Sequence, residues 1–281
     1  METGGPSGDA AVAWQRAATA RERAARAEVL AAQQEALAQQ DPSSVHAKIA
    51  ANHRRSANCH RSSAELQEAY ARRLTALRQP HEPLPLFMGV VADACGTNSA
   101  ALTLIGSDHS QLAVAASDEG ARAAQDLEFV LGEGPSTDAA ARRSRVSAVG
   151  TAIERRWPCY GPAVAALGVG EVIAVPLETA DGCLGSLAVF DPRPGTATAA
   201  VFADVTEALV RTVLLGPDAD PELYGDTDHR DTVHQAAGML SVQEHCAVGD
   251  ALSMLKARAY AEGVPVDEMA RRIVHREYRL A

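Results

Sequence analysis

Residues 9–40 are almost entirely Ala, Arg, Glu, Gln and Leu, the side chains that lose least on entering a helix. Trp14, Ala18, Ala25, Val29, Ala32 and Ala36 recur at three, four or a multiple, which predicts a long helix with one weakly apolar stripe. Asp41-Pro42-Ser43-Ser44 should end it, since proline stops a helix and serine caps the next. A second helix is predicted over 45–77. Its seam would be Val45, Ile49, Asn52, Ser56, Cys59, Ser63, Leu66, Tyr70, Arg73 or Leu74, and Leu77, in steps of four and three. The pattern predicts a helical hairpin or coiled-coil-like arm over 1–80 that dimerises the protein or carries a signal. The alternative is a solvated arm that pairs weakly. His46, His53 and His60 repeat every seven residues and read as exposed heptad positions. Residues 1–8, rich in Gly, Pro and Ser, are expected to be disordered.

The proline-marked stretch 79–85 separates this arm from a mixed region, 81–216. There the pattern predicts a short apolar helix over 86–95 and strands over 100–107 and 111–117, joined by an Asp108-His109-Ser110 turn. A helix over 119–125, an extended run over 126–131, a helix over 137–142 and a strand over 145–149 follow. The clearest strands are 171–178 and 183–190, linked by Ala180-Asp181-Gly182, before a long helix over 198–215. The fold class expected is α+β: a helical arm, a mostly antiparallel sheet flanked by helices, and a C-terminal three-helix bundle.

That bundle follows a second linker, 216–221, and occupies 222–281. Its first helix should start at Thr227 or Asp228, run to about residue 244, and face Val233, Ala236 or Ala237, and Leu240 inward. The second, 248–262, buries Ala251, Leu252, Leu255 and Ala259; the third, starting near Pro265, buries Val266, Met269, Ala270 and Ile273.

Composition narrows the classes. Aromatics are only 4% of the 281 residues, so large buried side chains are scarce and helices should pack through small ones. No run of 18 apolar residues predicts a membrane span, and the first residues lack a signal-peptide pattern. The five cysteines are widely spaced without a C-x-x-C pair, which points to a reducing cytoplasm and away from a disulfide framework or structural zinc. The net charge of −10 splits into +3 over 1–80, −10 over 81–221 and −3 over 222–281, so the C-terminal bundle is not basic overall.

No Ser/His/Asp order, zinc spacing or carboxylate pair stands out, so no catalytic or metal-binding residue is assigned and no enzyme is expected. Asp191 and Asp204 read as turn and helix-surface groups. Gly132-Glu133-Gly134 reads as a turn into a helix at a pocket rim, with the alternative that its N–H groups face an anion. Trp157-Pro158-Cys159-Tyr160 places two of the few aromatics in a loop, as a lid over a pocket or a plug in a small core. Cys159 follows Arg155 and Arg156, cations of the kind a redox-active thiol needs beside it, but buried inert thiols are the default for Cys95, Cys159 and Cys183 alike.

Residues 84–215 resemble a GAF domain of bacterial signalling proteins, through Phe129-Val-Leu-Gly-Glu-Gly-Pro-Ser136, Arg156-Trp157-Pro158, Val172-Ile-Ala-Val-Pro-Leu177 and Gly185-Ser-Leu-Ala-Val-Phe190. The resemblance implies a small-molecule pocket between the sheet and its covering elements, with Glu133, Ser136, Trp157 and Cys159 as ligand-binding candidates and the cofactor or effector unidentified. Similar sequences often carry Cys at the position of Ser136. Some GAF domains reduce free methionine sulfoxide, but the cysteine spacing here does not match theirs.

Residues 228–275 resemble an ANTAR domain, the RNA-binding module of transcription antiterminators. The matching residues are Val233, Gln235, Ala236, Gly238 and Leu240, then Cys246, then Ala251, Leu252, Leu255, Lys256 and Ala259, then Val266, Met269, Ala270, Ile273 and Val274. The order of helical arm, GAF and ANTAR is itself an arrangement found in such regulators. The resemblance implies a cytoplasmic homodimer that senses a small molecule or stress and binds RNA hairpins in nascent transcripts. Gln235, Gly238, Lys256, Arg258, Arg271 and Arg272 would form the RNA-binding surface, with Arg276, Arg279 and His275 adding charge. Two readings stand beside it: a protein-interaction module whose ANTAR unit does not bind RNA, and a redox sensor acting through the GAF cysteines. The chain departs from the family at Ala237, where Lys is usual and a phosphate contact is lost. It departs again at Ala247-Val248-Gly249-Asp250, where a Ser or Thr cap is usual; that change should weaken the second helix by about 1 kcal/mol.

Overall fold

The computed structural model describes residues 6–40, 45–76, 87–106, 111–215 and 229–277. The expected break at 41–44, the linkers 79–85 and 216–221, the turn at 108–110, Leu77, the caps Thr227 and Asp228, and Arg279 lie outside the described residues. Among those residues the chain is mixed α+β, with eleven helices and a five-stranded antiparallel sheet. It packs as two compact units: Met1–Asn98 with Pro192–Leu223, and Ser99–Asp191 with Tyr224–Ala281.

The first unit is built on α1 (Pro6–Gln40) and α2 (His46–Ala76). Arg21 pairs with Glu68, Arg61 with Glu28 and Arg54 with Glu35, so the helices run antiparallel. Their seam is alanine. Ala10, Ala13, Ala17, Ala20, Ala24, Ala27 and Ala31, alternating three and four apart, are all buried, and Ala50, Ala57, Ala64 and Ala71 repeat every seven on α2. The expected α1 stripe lies outside this seam: Trp14 is 42% and Val29 57% exposed, and Ala18, Ala25, Ala32 and Ala36 are exposed too. Small side chains bring two backbones together, whereas a Trp or Val stripe would hold them apart.

The α2 seam also shifts. Cys59, Ser63, Leu66 and Leu74 are buried as expected, but Val45 and Asn52 are exposed and Ser56 is only half-buried. His46, His53 and His60 are half-buried rather than exposed, and His46 Nδ1 lies 2.6 Å from Gln34 Oε1 on α1. Pro6–Gly8, expected to be disordered, form the first turn of α1, where proline's fixed φ suits a helix start. The unit is completed by α3 (Phe87–Ala94) and α8 (Ala199–Ala208), which ends in a π-helical turn at Leu209–Leu214. Tyr70 meets Phe87 edge-to-face at 5.6 Å.

The second unit holds the sheet, β1 (Ser99–Ile105), β2 (Gln111–Ala116), β3 (Val146–Val149), β4 (Glu171–Glu178) and β5 (Cys183–Phe190), in the order β2-β1-β5-β4-β3. Register places Ala116, Ala101, Ala188 and Ala174 side by side across four strands. This flat row lets helices approach closely. Gly185 is required where β5 passes β1: a Cβ there would lie 1.8 Å from the Thr103 carbonyl oxygen.

The core helices are α4 (Glu119–Leu131), α5 (Pro135–Arg142), α6 (Thr151–Arg156) and α7 (Tyr160–Ala166). Residues 126–131, expected to be extended, continue α4. Asp118 caps its start through Ala121 N at 2.9 Å, and Gly132 closes it in the left-handed region with N–H to the Glu128 carbonyl. The expected Trp157–Tyr160 loop is the junction of α6 and α7. Trp157 and Tyr160 are buried edge-to-face at 6.2 Å in the core, so they plug it and form no lid. A Cβ on Gly161 would meet the Glu154 Cα at 2.4 Å, which is why the two helices can pack so tightly.

The unit ends in α9 (His229–Gln243), α10 (Val248–Glu262) and α11 (Val266–Val274). Val233, Ala236, Leu240, Ala251, Leu255, Ala259, Met269, Ala270 and Ile273 form their shared core, as the spacing predicts. The start of α10 at Ala247 has no side-chain cap.

Candidate functional site

The site is assembled where α4 of the sheet lobe meets the three-helix bundle. Phe129 leaves the lobe's surface and joins the bundle core with Leu255, Ala259 and Met269. Two cations cover its ring: the Arg230 guanidinium at 4.1 Å and the Lys256 ammonium at 3.8 Å from the centroid. Arg230, only 4% exposed, also donates to Asp126 Oδ1 at 2.7 Å. His234 Nε2 lies 2.8 Å from the Gln111 carbonyl oxygen, which ties α9 to β2. Burial and the neighbouring Arg230 charge push the Lys256 ammonium down to about 8.

Beneath Phe129 lies a cavity of about 150 Å³, whose wall includes Thr103, Gln111, Glu128, Ser136 and Lys256. A buried polar chain backs it. Thr103 Oγ1 donates to Gln125 Oε1 at 2.6 Å, and Gln125 Nε2 donates to Ser136 Oγ at 3.0 Å. Glu128 accepts from Thr137 N at 2.5 Å and caps α5. Being fully buried, it is held above the usual carboxylate range despite those bonds. The N–H groups after Gly134 therefore face the protein's own carboxyl, and a Cβ at Gly134 would lie 2.6 Å from it. Gln111 Oε1 is buried without a partner.

The expected ligand-binding residues separate. Ser136 is buried and lines the cavity. Glu133 instead accepts from Cys159 N at 2.5 Å and Tyr160 N at 2.9 Å, holding the start of α7. Trp157 belongs to the core and Cys159 is exposed. Burial raises the Cys95 thiol to about 12, far from the thiolate a redox role needs. Asp191 Oδ1 accepts from Gly170 N and Glu171 N, the turn role expected of it, and Asp204 is exposed.

No family model matches the chain, and no curated protein matches it.

The expected RNA-facing residues divide as well. Gln235 is exposed on α9, with Gly238 half-buried one turn on. Arg258 pairs with Glu262, Arg271 with Asp267 and Glu268, and Arg272 with Glu268 and Glu262. Their charge is largely offset within the bundle. Lys256 is turned toward Phe129 and the cavity. Ala237 is fully buried, so a lysine at this position would point inward and not toward a phosphate. Phe129, Arg230, His234, Gln111 and Glu128 were not singled out by sequence patterning as a site. Their only local signal is an acidic residue ahead of a Gly-Pro helix start, at Glu128.

No helix among the described residues is long and apolar enough to cross a membrane, and among them no group of three or more His, Cys, Asp or Glu is placed to hold a metal.

Proposed function

We propose that this chain is a cytoplasmic, homodimeric regulator in which a GAF-like lobe senses a small molecule or stress and an ANTAR-like bundle binds RNA hairpins in nascent transcripts, favouring antitermination. The observation that carries this reading is Phe129: a lobe residue built into the bundle's core, so that a change beside α4 reaches the RNA-binding module directly. The exposed Gln235, able to donate to and accept from a loop base, and the α10–α11 arginines supply the contacting surface. Two bundles per dimer would hold two hairpins and gain from effective concentration. A mobility-shift titration with a dual-hairpin leader RNA tests it; the absence of salt-dependent binding at micromolar protein overturns it.

A second reading, a protein-interaction module, is favoured by one observation: Arg258, Arg271 and Arg272 each pair with carboxylates of their own bundle. Substituting Asp267 and Glu268 by Asn and Gln frees Arg271, and RNA affinity that rises with the change favours the RNA reading. No change favours the interaction module.

A further inference from the structure

The sheet lobe is acidic, yet one part of it is not. Of the eight Lys and Arg between residues 81 and 221, five fall within fifteen residues: Arg142, Arg143, Arg145, Arg155 and Arg156. That stretch contains a single carboxylate, Glu154. The fold gathers these arginines at the end of α5, the start of β3 and the end of α6, and all but the half-buried Arg156 are exposed. Asp138 Oδ2 stands 3.3 Å from both Arg142 and Arg156, so one carboxylate serves two guanidinium groups. Glu178 takes Arg143 at 2.8 Å. Five cations against Asp138, Glu178 and Glu154 leave an excess of two positive charges. In the bundle, by contrast, Arg258, Arg271 and Arg272 are matched by Glu262, Asp267 and Glu268.

Arg143 holds its place at a cost. It closes α5 with φ +50°, in the left-handed region, where a side chain is strained and glycine is not. Arg142 already sets a cation at this helix end, so α5 does not need a second. A strained residue kept on an exposed surface points to a use for its side chain. The surface also borders the bundle: Ala140 and Ala141 of α5 share a cavity wall with Leu252 and Lys256 of α10. The arginines begin one residue beyond that wall, within the same compact unit. We infer that this face is a second RNA contact, on the sensing lobe, where Arg142, Arg143, Arg145 and Arg155 hold backbone phosphates of the hairpin that the bundle engages. Guanidinium groups meet phosphate oxygens two at a time, and such contacts position a nucleic acid without reading its bases. The inference rests on the proposed function.

Anisotropy titration of the full chain with a labelled dual-hairpin leader RNA, repeated from about 50 to about 200 mM salt, tests it. Arg142→Gln, Arg145→Gln and Arg155→Gln together leave Asp138 its Arg156 and Glu178 its Arg143, and circular dichroism confirms the fold. In this lobe variant the slope of log affinity against log salt should flatten by about two to three, with affinity at low salt down about tenfold or more. The same loss of charge on the arm, through the exposed Arg26→Gln, Arg55→Gln and Arg72→Gln, should leave the slope near the native one. Arg143→Gly alone should raise the melting temperature and still flatten the slope by about one. A native slope in either the lobe variant or Arg143→Gly, or equal flattening in both triple variants, overturns the proposal. So does a lobe variant that loses only its binding to phosphatidylserine vesicles. A native chain that binds no RNA overturns the reading of the bundle and takes this surface with it. An unmoved slope in a chain that does bind RNA falls on the surface alone.

Discussion

The Lys256 ammonium stands 3.8 Å from the centre of the Phe129 ring, a bundle cation on a lobe aromatic. The ring holds both Lys256 and Arg230 while filling the bundle core, so its two roles separate by substitution. Phe129→Leu keeps apolar volume and loses the ring face, and should cost about 1–2 kcal/mol. Phe129→Ala also opens a cavity and should cost about 3–5 kcal/mol. Urea unfolding followed on the bundle reads both; no loss in Phe129→Leu would mean that the ring face contributes nothing.

Lys256 also makes stability depend on pH. Its folded value, lowered to about 8, lies below the ordinary 10.5. Below about pH 8 both folded and unfolded chains hold the proton, and between the two values the unfolded chain holds more. Stability should therefore rise with pH across that window. Lys256→Met should flatten the rise, measured as the difference between native and variant denaturation midpoints at several pH values.

Glu128 works with the opposite sign. Its folded value is raised above 4.5 by burial, so the folded chain holds more protons than the unfolded one above that value. Stability should fall as pH rises from about 4.5 through the folded value. Glu128→Gln keeps an oxygen for Thr137 N and should remove the fall, whereas Glu128→Ala uncaps α5 at a cost of about 1–2 kcal/mol. Parallel acid titrations of the three proteins, read by circular dichroism, check it.

The parts of the fold legible from sequence are those where apolar and polar residues contrast. Leu240, Leu255, Met269 and Ile273 stand out against charged neighbours, and the bundle core follows from their spacing. The hairpin of β4 and β5 follows from alternation around Asp181-Gly182. The continuation of α4 through 126–131 was hidden because Phe129-Val130-Leu131 is equally at home in a strand, and the closing left-handed Gly132 decides it. Of the site, Ser136 and Lys256 were legible as individuals. Their meeting was not, because it depends on Phe129 and Arg230 joining elements about a hundred residues apart, which no local period encodes.

The arm tests the same point about contrast. Alanine occurs on every side of α1, so the period alone does not say which row is buried, and the larger Trp14 and Val29 point to the wrong face. The buried row includes Ala17, 1% exposed, whereas its neighbour Ala18 is exposed. The two share residue type, helix and intrinsic propensity, so the same substitution isolates packing. Ala17→Leu forces a branched side chain between two closely packed backbones and should destabilise the hairpin by about 1–3 kcal/mol. Ala18→Leu should stay within about 0.5 kcal/mol, since leucine is nearly as good a helix former. Thermal unfolding of both variants decides it. If Ala18→Leu is the costlier of the two, the alanine row at 10, 13, 17, 20, 24, 27 and 31 is not the seam.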